Sequence, residues 1–203
     1  EGGEGVSVRL HVQSSLMAGV RALAAGDAAA ALRWFEGASA TPENFHEGTR
    51  IDASSPMAEI AHIDYWKGRA HEALGDADAA KADYEAAARD PMNAPEMRFY
   101  AALALRRLGR NEEADALAAS LREDAEAAMA NAGQYHYFRS AASYLPYEGD
   151  KRRKDLESAR HLRALGLLAC GLRGEAEEAL REAAQACALD AKSAFVLAHL
   201  DMY

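Results

Sequence analysis

The chain has 203 residues, half of them apolar, which is enough to bury the core of one domain. Its formal net charge of −9 opposes binding to nucleic-acid phosphates and to anionic membrane surfaces, so basic or neutral partners are expected. No apolar run approaches the roughly 20 residues that a membrane-spanning helix needs.

The first predicted elements are two helices and an insertion. One helix runs from about 7 to 25, and Asp27 begins a second helix that ends near Pro42. Residues 42–56, PENFHEGTRIDASSP, lengthen the connection to the next helix. Two interpretations of this insertion remain open: a surface excursion pinned by Phe45, or a lid or docking loop.

Residues 64–91 carry the clearest pattern, which predicts two short helices folded back on each other. Gly75 is expected to end the first helix in the left-handed conformation, and Asp76 is expected to cap the second. Asp90 precedes Pro91 and therefore ends the second helix. The residues expected at the contact between the two helices are the small Gly68 and Ala80 and the larger Leu74 and Tyr84.

The next pair of helices is predicted over 95–108 and 112–130, with Asn111 as the N-cap. A short helix at about 134–145 follows, inside the aromatic segment 134–147. This segment forms a candidate aromatic patch of Tyr135, Tyr137, Phe138, Tyr144 and Tyr147. Such a patch either fills the core where a repeat is deformed, or stacks on a sugar or grips an extended peptide.

The remaining elements are a long helix that ends near Arg173, a last hairpin over 160–189 and a closing helix at about 191–201. The basic run 151–154, KRRK, precedes the long helix. Basic side chains oppose the helix dipole at an N-terminus, so we expect them either outside the helix or paired with carboxylates.

Four glycines mark a repeated spacing along the chain. Gly75 and Gly109 are 34 residues apart, and Gly26 and Gly174 are interpreted as equivalent anchors. Small or apolar residues recur at fixed offsets. The residues seven positions before the anchors are Gly19, Gly68, Ala102 and Leu167, and those five positions after them are Ala31, Ala80, Ala114 and Ala179. The residues nine positions after the anchors are Phe35, Tyr84, Ala118 and Ala183, and those twelve positions after them are Ala38, Ala87, Leu121 and Ala186.

With this spacing the chain resembles tetratricopeptide-repeat proteins, with repeats at about 12–42, 60–91, 94–121 and 160–190 and insertions at 42–56 and 131–155. The resemblance implies an all-α solenoid that occupies residues 1–203 as a single domain. More narrowly, TPENFHEG, MRFYAALALRRLGR and HYFRSAASYLPYEGD resemble the C-terminal repeat region of large uncharacterised bacterial proteins, whose β-rich domains look suited to carbohydrate processing.

The resemblance also implies a concave face that is lined by the first helix of each repeat. Its expected partner-binding residues are His62, Tyr65, Trp66, Arg69, Phe99, Leu103 and Arg106. Aromatic and Arg side chains give much binding energy per residue, so a protein or peptide partner is predicted. In the alternative interpretation, the aromatic residues pack against neighbouring helices, or another part of the chain, such as 42–56, fills the groove.

The sequence contains no recognisable catalytic motif, and neither a metal nor a cofactor is predicted. Cys170 and Cys187 are interpreted as small buried side chains in a reducing compartment; with no signal peptide recognisable, this predicts a cytoplasmic location. The favoured function is a non-catalytic scaffold for protein–protein or interdomain contacts. The alternative is an accessory domain of a bacterial carbohydrate-active enzyme that shapes or binds near a sugar site.

Overall fold

The structure is a computed structural model that describes residues 6–40, 60–89, 95–134, 148–186 and 191–203. Within these ranges the chain forms nine α-helices, one short 3-10 helix and no strand, which confirms the all-α prediction. The α-helices are α1 (Val6–Ala24), α2 (Ala28–Ser39), α3 (Ala61–Leu74), α4 (Ala77–Ala87), α5 (Pro95–Arg107), α6 (Asn111–Ala130), α7 (Glu148–Ala169), α8 (Arg173–Ala186) and α9 (Ala191–Ala198).

The chain divides into two compact units, each described separately below. Unit 1 comprises Glu1–Ala114 together with Asp201–Tyr203, and unit 2 comprises Asp115–Leu200. In unit 1, α1 packs against α2, α2 against α3, and α3 against α4, while α5 contacts both α3 and α4. Helix α3 therefore lies at the centre of unit 1, where its side chains are covered from several directions.

The same hydrogen-bonded turn follows α1, α3, α5 and α7. In each turn a glycine with positive φ donates its amide to the carbonyl three residues earlier, and the next amide donates to the carbonyl five residues earlier, at 2.9–3.1 Å. This pair of bonds is the Schellman motif, which satisfies the last carbonyls of a helix and needs a residue that tolerates the left-handed conformation. The four glycines are Gly26, Gly75, Gly109 and Gly171.

The predicted anchor Gly174 is therefore wrong, and the anchor is Gly171. Gly174 is the second residue of α8, while Gly171 forms the turn. With the frame moved by three residues, the fourth predicted repeat has Ala164, Ala176, Leu180 and Ala183 at the same four offsets, and all four are buried. In the predicted frame the last offset fell on Ala186, which is exposed.

Paired alanine substitutions test this frame. Gly171→Ala should lower the free energy of unfolding by about 1–2 kcal/mol, because an L side chain is strained at its φ of 76°. Gly174→Ala should leave stability unchanged or raise it by up to about 1 kcal/mol, because its Cβ meets nothing within 4 Å and Ala favours helix. Urea unfolding measures both, and the opposite order of the two variants would restore Gly174 as the anchor.

Two of the predicted helix caps are confirmed and one is wrong. The side chains of Asp27 and Asp76 accept the amides of Ala30 and Ala79 at 2.9 and 3.1 Å. Asn111 is instead the first residue of α6. The cap position before it holds Arg110, whose carbonyl accepts the amide of Ala114 and whose guanidinium pairs with Glu113.

The predicted contact between α3 and α4 is confirmed at three residues and corrected at Leu74. Ala80 and Tyr84 are buried, and the ring of Tyr84 lies over the backbone of Gly68. Leu74 does not fill a gap, because it is 48% exposed at the end of α3, just before the turn. Phe35 covers Gly19 in the same way between α1 and α2.

In unit 2, α7 packs against α8, and α8 packs against α9. A Cβ on Gly166 would lie 2.7 Å from Cγ of Arg122, so the glycine allows α7 to approach α6 closely. The buried His161 of α7 contacts the hydroxyl of Ser193 of α9 at 2.9 Å, which satisfies two polar groups that are hidden from water.

The basic run 151–154 lies inside α7, not in a loop before it as one of the two expectations had it. The expected pairing with carboxylates is present: Lys151 contacts Asp155 at 2.5 Å, and Arg153 contacts Glu157 at 3.8 Å. Lys151, together with the Gly133 amide, holds the pKa of Asp155 below its ordinary value. Basic side chains near the N-terminus of a helix interact unfavourably with the helix dipole, and the carboxylates of Asp155 and Glu157, one turn later, offset this interaction.

Several predictions lie outside the described residues, among them the 42–56 insertion, the aromatic segment apart from Gln134, and Cys187. Cys170 lies in the turn after α7, partly buried and with a free thiol. None of the described helices combines the length and the apolar character of a membrane span.

Candidate partner-binding face

The predicted face lies on α3 and α5, and most of its apolar side chains are buried. Tyr65 and Trp66 are 1% exposed, Phe99 is completely covered, and Leu103 is also buried. His62, Arg69 and Arg106 are partly exposed. The placement of the three aromatic residues fits the alternative in which they pack against neighbouring helices, and binding of a partner stays a prediction.

An aromatic cluster occupies the centre of unit 1. Its rings come from α2, α3, α4, α5 and the last described residue, and successive rings lie 5.0–6.0 Å apart between centroids. This spacing is that of favourable edge-to-face and offset pairs. The members are Phe35, His62, Tyr65, Trp66, Tyr84, Phe99, Tyr100 and Tyr203.

The chain's own residues 201–203 fill part of the predicted face. The ring of Tyr203 meets Trp66 edge-on, with centroids 5.1 Å apart, and lies 5.8 Å from the ring of Phe99. Arg69 donates a hydrogen bond to the main-chain carbonyl of Met202. We call the surroundings of Tyr203, formed by Trp66, Arg69, Phe99 and Tyr100, the tyrosine slot.

Arg69 is fixed in place by contacts on α3 itself. Its Nη1 donates to the hydroxyl of Tyr65 at 3.2 Å, and its Nε lies 3.6 Å from the Glu72 carboxylate. Its guanidinium carbon is 6.0 Å from the centroid of the Trp66 ring, within the range of a cation–π contact. The donor that holds the Met202 carbonyl is therefore positioned by the helix and does not depend on residues 201–203.

A chain of hydrogen bonds runs through the slot. The indole N–H of Trp66 donates to Tyr100, and the Tyr100 hydroxyl donates to Tyr203. Burial, with the Tyr203 phenol and the Glu96 carboxylate nearby, raises the pKa of Tyr100 well above its ordinary value. Burial also raises the pKa of Tyr203, so both phenols are held neutral.

These raised pKa values predict a loss of stability at alkaline pH. A phenol whose pKa is higher in the folded state stabilises fully below its unfolded pKa of about 10 and loses that contribution as the pH rises above it. The free energy of unfolding should therefore fall between about pH 10 and 11.5, measured by urea unfolding. Tyr100→Phe, which cannot ionise, should show a shallower fall, and an identical fall in both proteins would contradict this role for Tyr100.

Two carboxylates, those of Glu72 and Asp83, make polar contacts that join α3 to α4 and α5. The Tyr84 hydroxyl donates to Glu72 at 2.9 Å, and Arg107 of α5 approaches the same carboxylate at 3.3 Å. Next to Tyr84 on α4, Asp83 contacts two other residues of α3, His71 at 2.7 Å and Lys67 at 3.5 Å. Both carboxylates thus join helices that already pack together, which identifies these charged side chains as part of the scaffold.

The structure also identifies residues that sequence reasoning did not assign to the face. These residues are Tyr100, Met202 and Tyr203. A signal was present, since Val196, Leu200 and Tyr203 follow an i, i+4, i+7 apolar spacing that extends past the predicted end of the last helix. That spacing predicts burial of Tyr203 but not the surface that buries it.

The candidate aromatic patch of 135–147 lies outside the described residues, so the sugar-binding alternative stays a prediction. Among the side chains that the structure does describe, no group of three or more His, Cys, Asp or Glu residues is placed to hold a metal ion. A scan against protein-family models, a search of curated proteins and a search of solved structures each found no match to this chain.

Proposed function

We propose that the chain is a non-catalytic interaction module, a tetratricopeptide-type helical array that binds a peptide segment at the face formed by α3 and α5. The segment belongs to another protein or to another domain of a longer parent protein. A helical hairpin of this length does not bury its apolar stripe alone, so stacking of similar hairpins is the expected architecture.

The repeated turn supports the tetratricopeptide assignment. Four Schellman turns with equivalent hydrogen bonds place buried small residues at equivalent positions, for example Ala31, Ala80 and Ala176. Within unit 1, α3 contacts α1, α2, α4 and α5, as the first helix of a central repeat does in a stacked array. Shared geometry at four places in one chain favours repeats of one structural unit.

The observation that carries the binding proposal is the way in which this face already holds a short segment. Arg69 donates a hydrogen bond to the main-chain carbonyl of Met202, and the rings of Trp66 and Phe99 contact the ring of Tyr203. Peptide-recognition sites combine these two elements, because main-chain contacts orient the peptide and side-chain pockets select its sequence. Partly exposed His62 and Arg106 extend the face beyond the slot.

A binding screen tests this proposal. The purified full chain is titrated against a degenerate peptide library and, separately, against a panel of oligosaccharides. We expect saturable binding of a subset of peptides, weakened at least tenfold by Arg106→Glu on α5. Arg153→Glu is the control, because Arg153 is an exposed arginine on α7 that belongs to unit 2 and is not one of the predicted face residues.

Two results would overturn the proposal. One is the absence of saturable peptide binding by a chain whose helical circular dichroism is intact. The other is peptide binding that Arg106→Glu and Arg153→Glu weaken equally. Saturable oligosaccharide binding that both arginine variants retain would favour the carbohydrate alternative.

A further inference from the structure

The tyrosine slot has the features of a ligand site whose ligand is supplied by the chain itself. Residues 201–203 approach α3 from far along the sequence, with 133 positions separating Arg69 from Met202. The segment is three residues long, and its contacts include the Met202 carbonyl and the ring and hydroxyl of Tyr203. Short segments held by few contacts open more readily than packed helices do.

The walls of the slot are held by contacts that do not involve residues 201–203. Trp66 also packs on Phe35 and Tyr65, with centroids 6.0 and 5.2 Å away. Phe99 meets Tyr100 edge-on at 5.0 Å, and Arg69 is fixed by Tyr65 and Glu72. Removal of the Tyr203 ring would therefore leave an organised aromatic slot with its arginine in place.

The chemistry of the slot selects a neutral tyrosine. Tyr100 donates a hydrogen bond to the Tyr203 hydroxyl, a contact that phenylalanine cannot accept. The Glu96 carboxylate acts electrostatically on both phenols and opposes their ionisation. A negative charge on the ring is disfavoured for the same reason, so phosphotyrosine should be rejected.

We infer that the tyrosine slot is a recognition site for a short peptide that carries an unphosphorylated tyrosine, and that Asp201–Tyr203 occupies it as an intramolecular competitor. This inference rests on the proposed peptide-binding function and adds its ligand class and its regulation. A tyrosine-bearing peptide must displace residues 201–203, so the chain's own segment lowers the apparent affinity of the slot for such a peptide.

The test uses a fluorescent synthetic peptide with the sequence of residues 196–203, VLAHLDMY, added to the full chain. Tyr203→Ala should bind this peptide at least tenfold more tightly than the unsubstituted chain, because its slot is empty. The same peptide with its tyrosine replaced by alanine or by phosphotyrosine should bind at least tenfold more weakly. Arg69→Met in the Tyr203→Ala chain should also weaken binding, whereas Trp34→Ala, on the exposed side of α2, should not.

Equal affinity of the unsubstituted and Tyr203→Ala chains for the peptide would overturn the inference. So would binding that is indifferent to the tyrosine of the peptide. A Tyr203→Ala chain that fails to fold would overturn it as well, because residues 201–203 would then be structural. Library peptides that bind the α3–α5 face with no gain from Tyr203→Ala would leave the proposed function standing and remove only the intramolecular competitor.

Discussion

Replacing Trp66 with Ala should lower the free energy of unfolding by about 3–5 kcal/mol, the range for truncation of a large aromatic residue in a core. The indole is 1% exposed, contacts the rings of Phe35, Tyr65 and Tyr203, and donates its N–H to Tyr100. Truncation therefore removes several ring contacts together and leaves a cavity at the centre of unit 1. Urea unfolding monitored by far-ultraviolet circular dichroism measures the loss.

The other tryptophan of the chain is the matched control. Trp34 lies on α2 and is 50% exposed, so Trp34→Ala should change stability by less than about 0.5 kcal/mol. Each variant removes a tryptophan side chain from an α-helix, and the two positions differ in burial. Equal losses in both would show that α3 is not the centre of the core.

The second large effect is expected from a single methyl group. Gly68→Ala should cost about 2 kcal/mol, because the added Cβ would lie 2.6 and 2.7 Å from two ring carbons of Tyr84, closer than real contacts allow. Tyr84 cannot yield freely, because its ring is buried and its hydroxyl is bonded to Glu72. Thermal unfolding measures the change.

The chain itself provides the rescue and the control for this prediction. In the fourth predicted repeat the equivalent positions hold Ala164 and Leu180, both fully buried, so Gly68→Ala combined with Tyr84→Leu should recover at least half of the loss. Gly37→Ala should raise stability by about 0.5–1 kcal/mol, because nothing lies within 4 Å of its Cβ and Ala favours helix. Similar losses for Gly68→Ala and Gly37→Ala would exclude a steric cause.

Local chemistry made most helices predictable from the sequence. Gly75 and Asp76 encode a stop and a start at adjacent residues, and the structure confirms both. The same reasoning chose Gly174 as the fourth anchor where the structure has Gly171. Both glycines have an alanine five residues later, and spacing alone does not tell which of them has positive φ. Leu74 was misplaced because helical periodicity does not reveal that its position faces solvent beside the turn.

The candidate face was less predictable, since its surroundings are set by distant parts of the chain. Periodicity places Tyr65, Trp66 and Phe99 on the correct helices, but it does not say what covers them. The contact from Tyr203 to α3 closes a loop of more than 130 residues, and no local propensity encodes such a pairing. Aromatic residues on a helical face are therefore compatible with both an open groove and a filled one.

The most direct measurement concerns the ring of Tyr203, because the filled tyrosine slot is the feature on which the proposed ligand and its regulation depend. Nuclear Overhauser spectra of the full chain should show cross-peaks from the Tyr203 ring protons to the Trp66 indole and to the Phe99 ring, which lie 5.1 and 5.8 Å away between centroids. The cross-peaks should disappear in Tyr203→Ala. A Tyr203 ring with random-coil shifts and no cross-peak to either residue would contradict the filled slot.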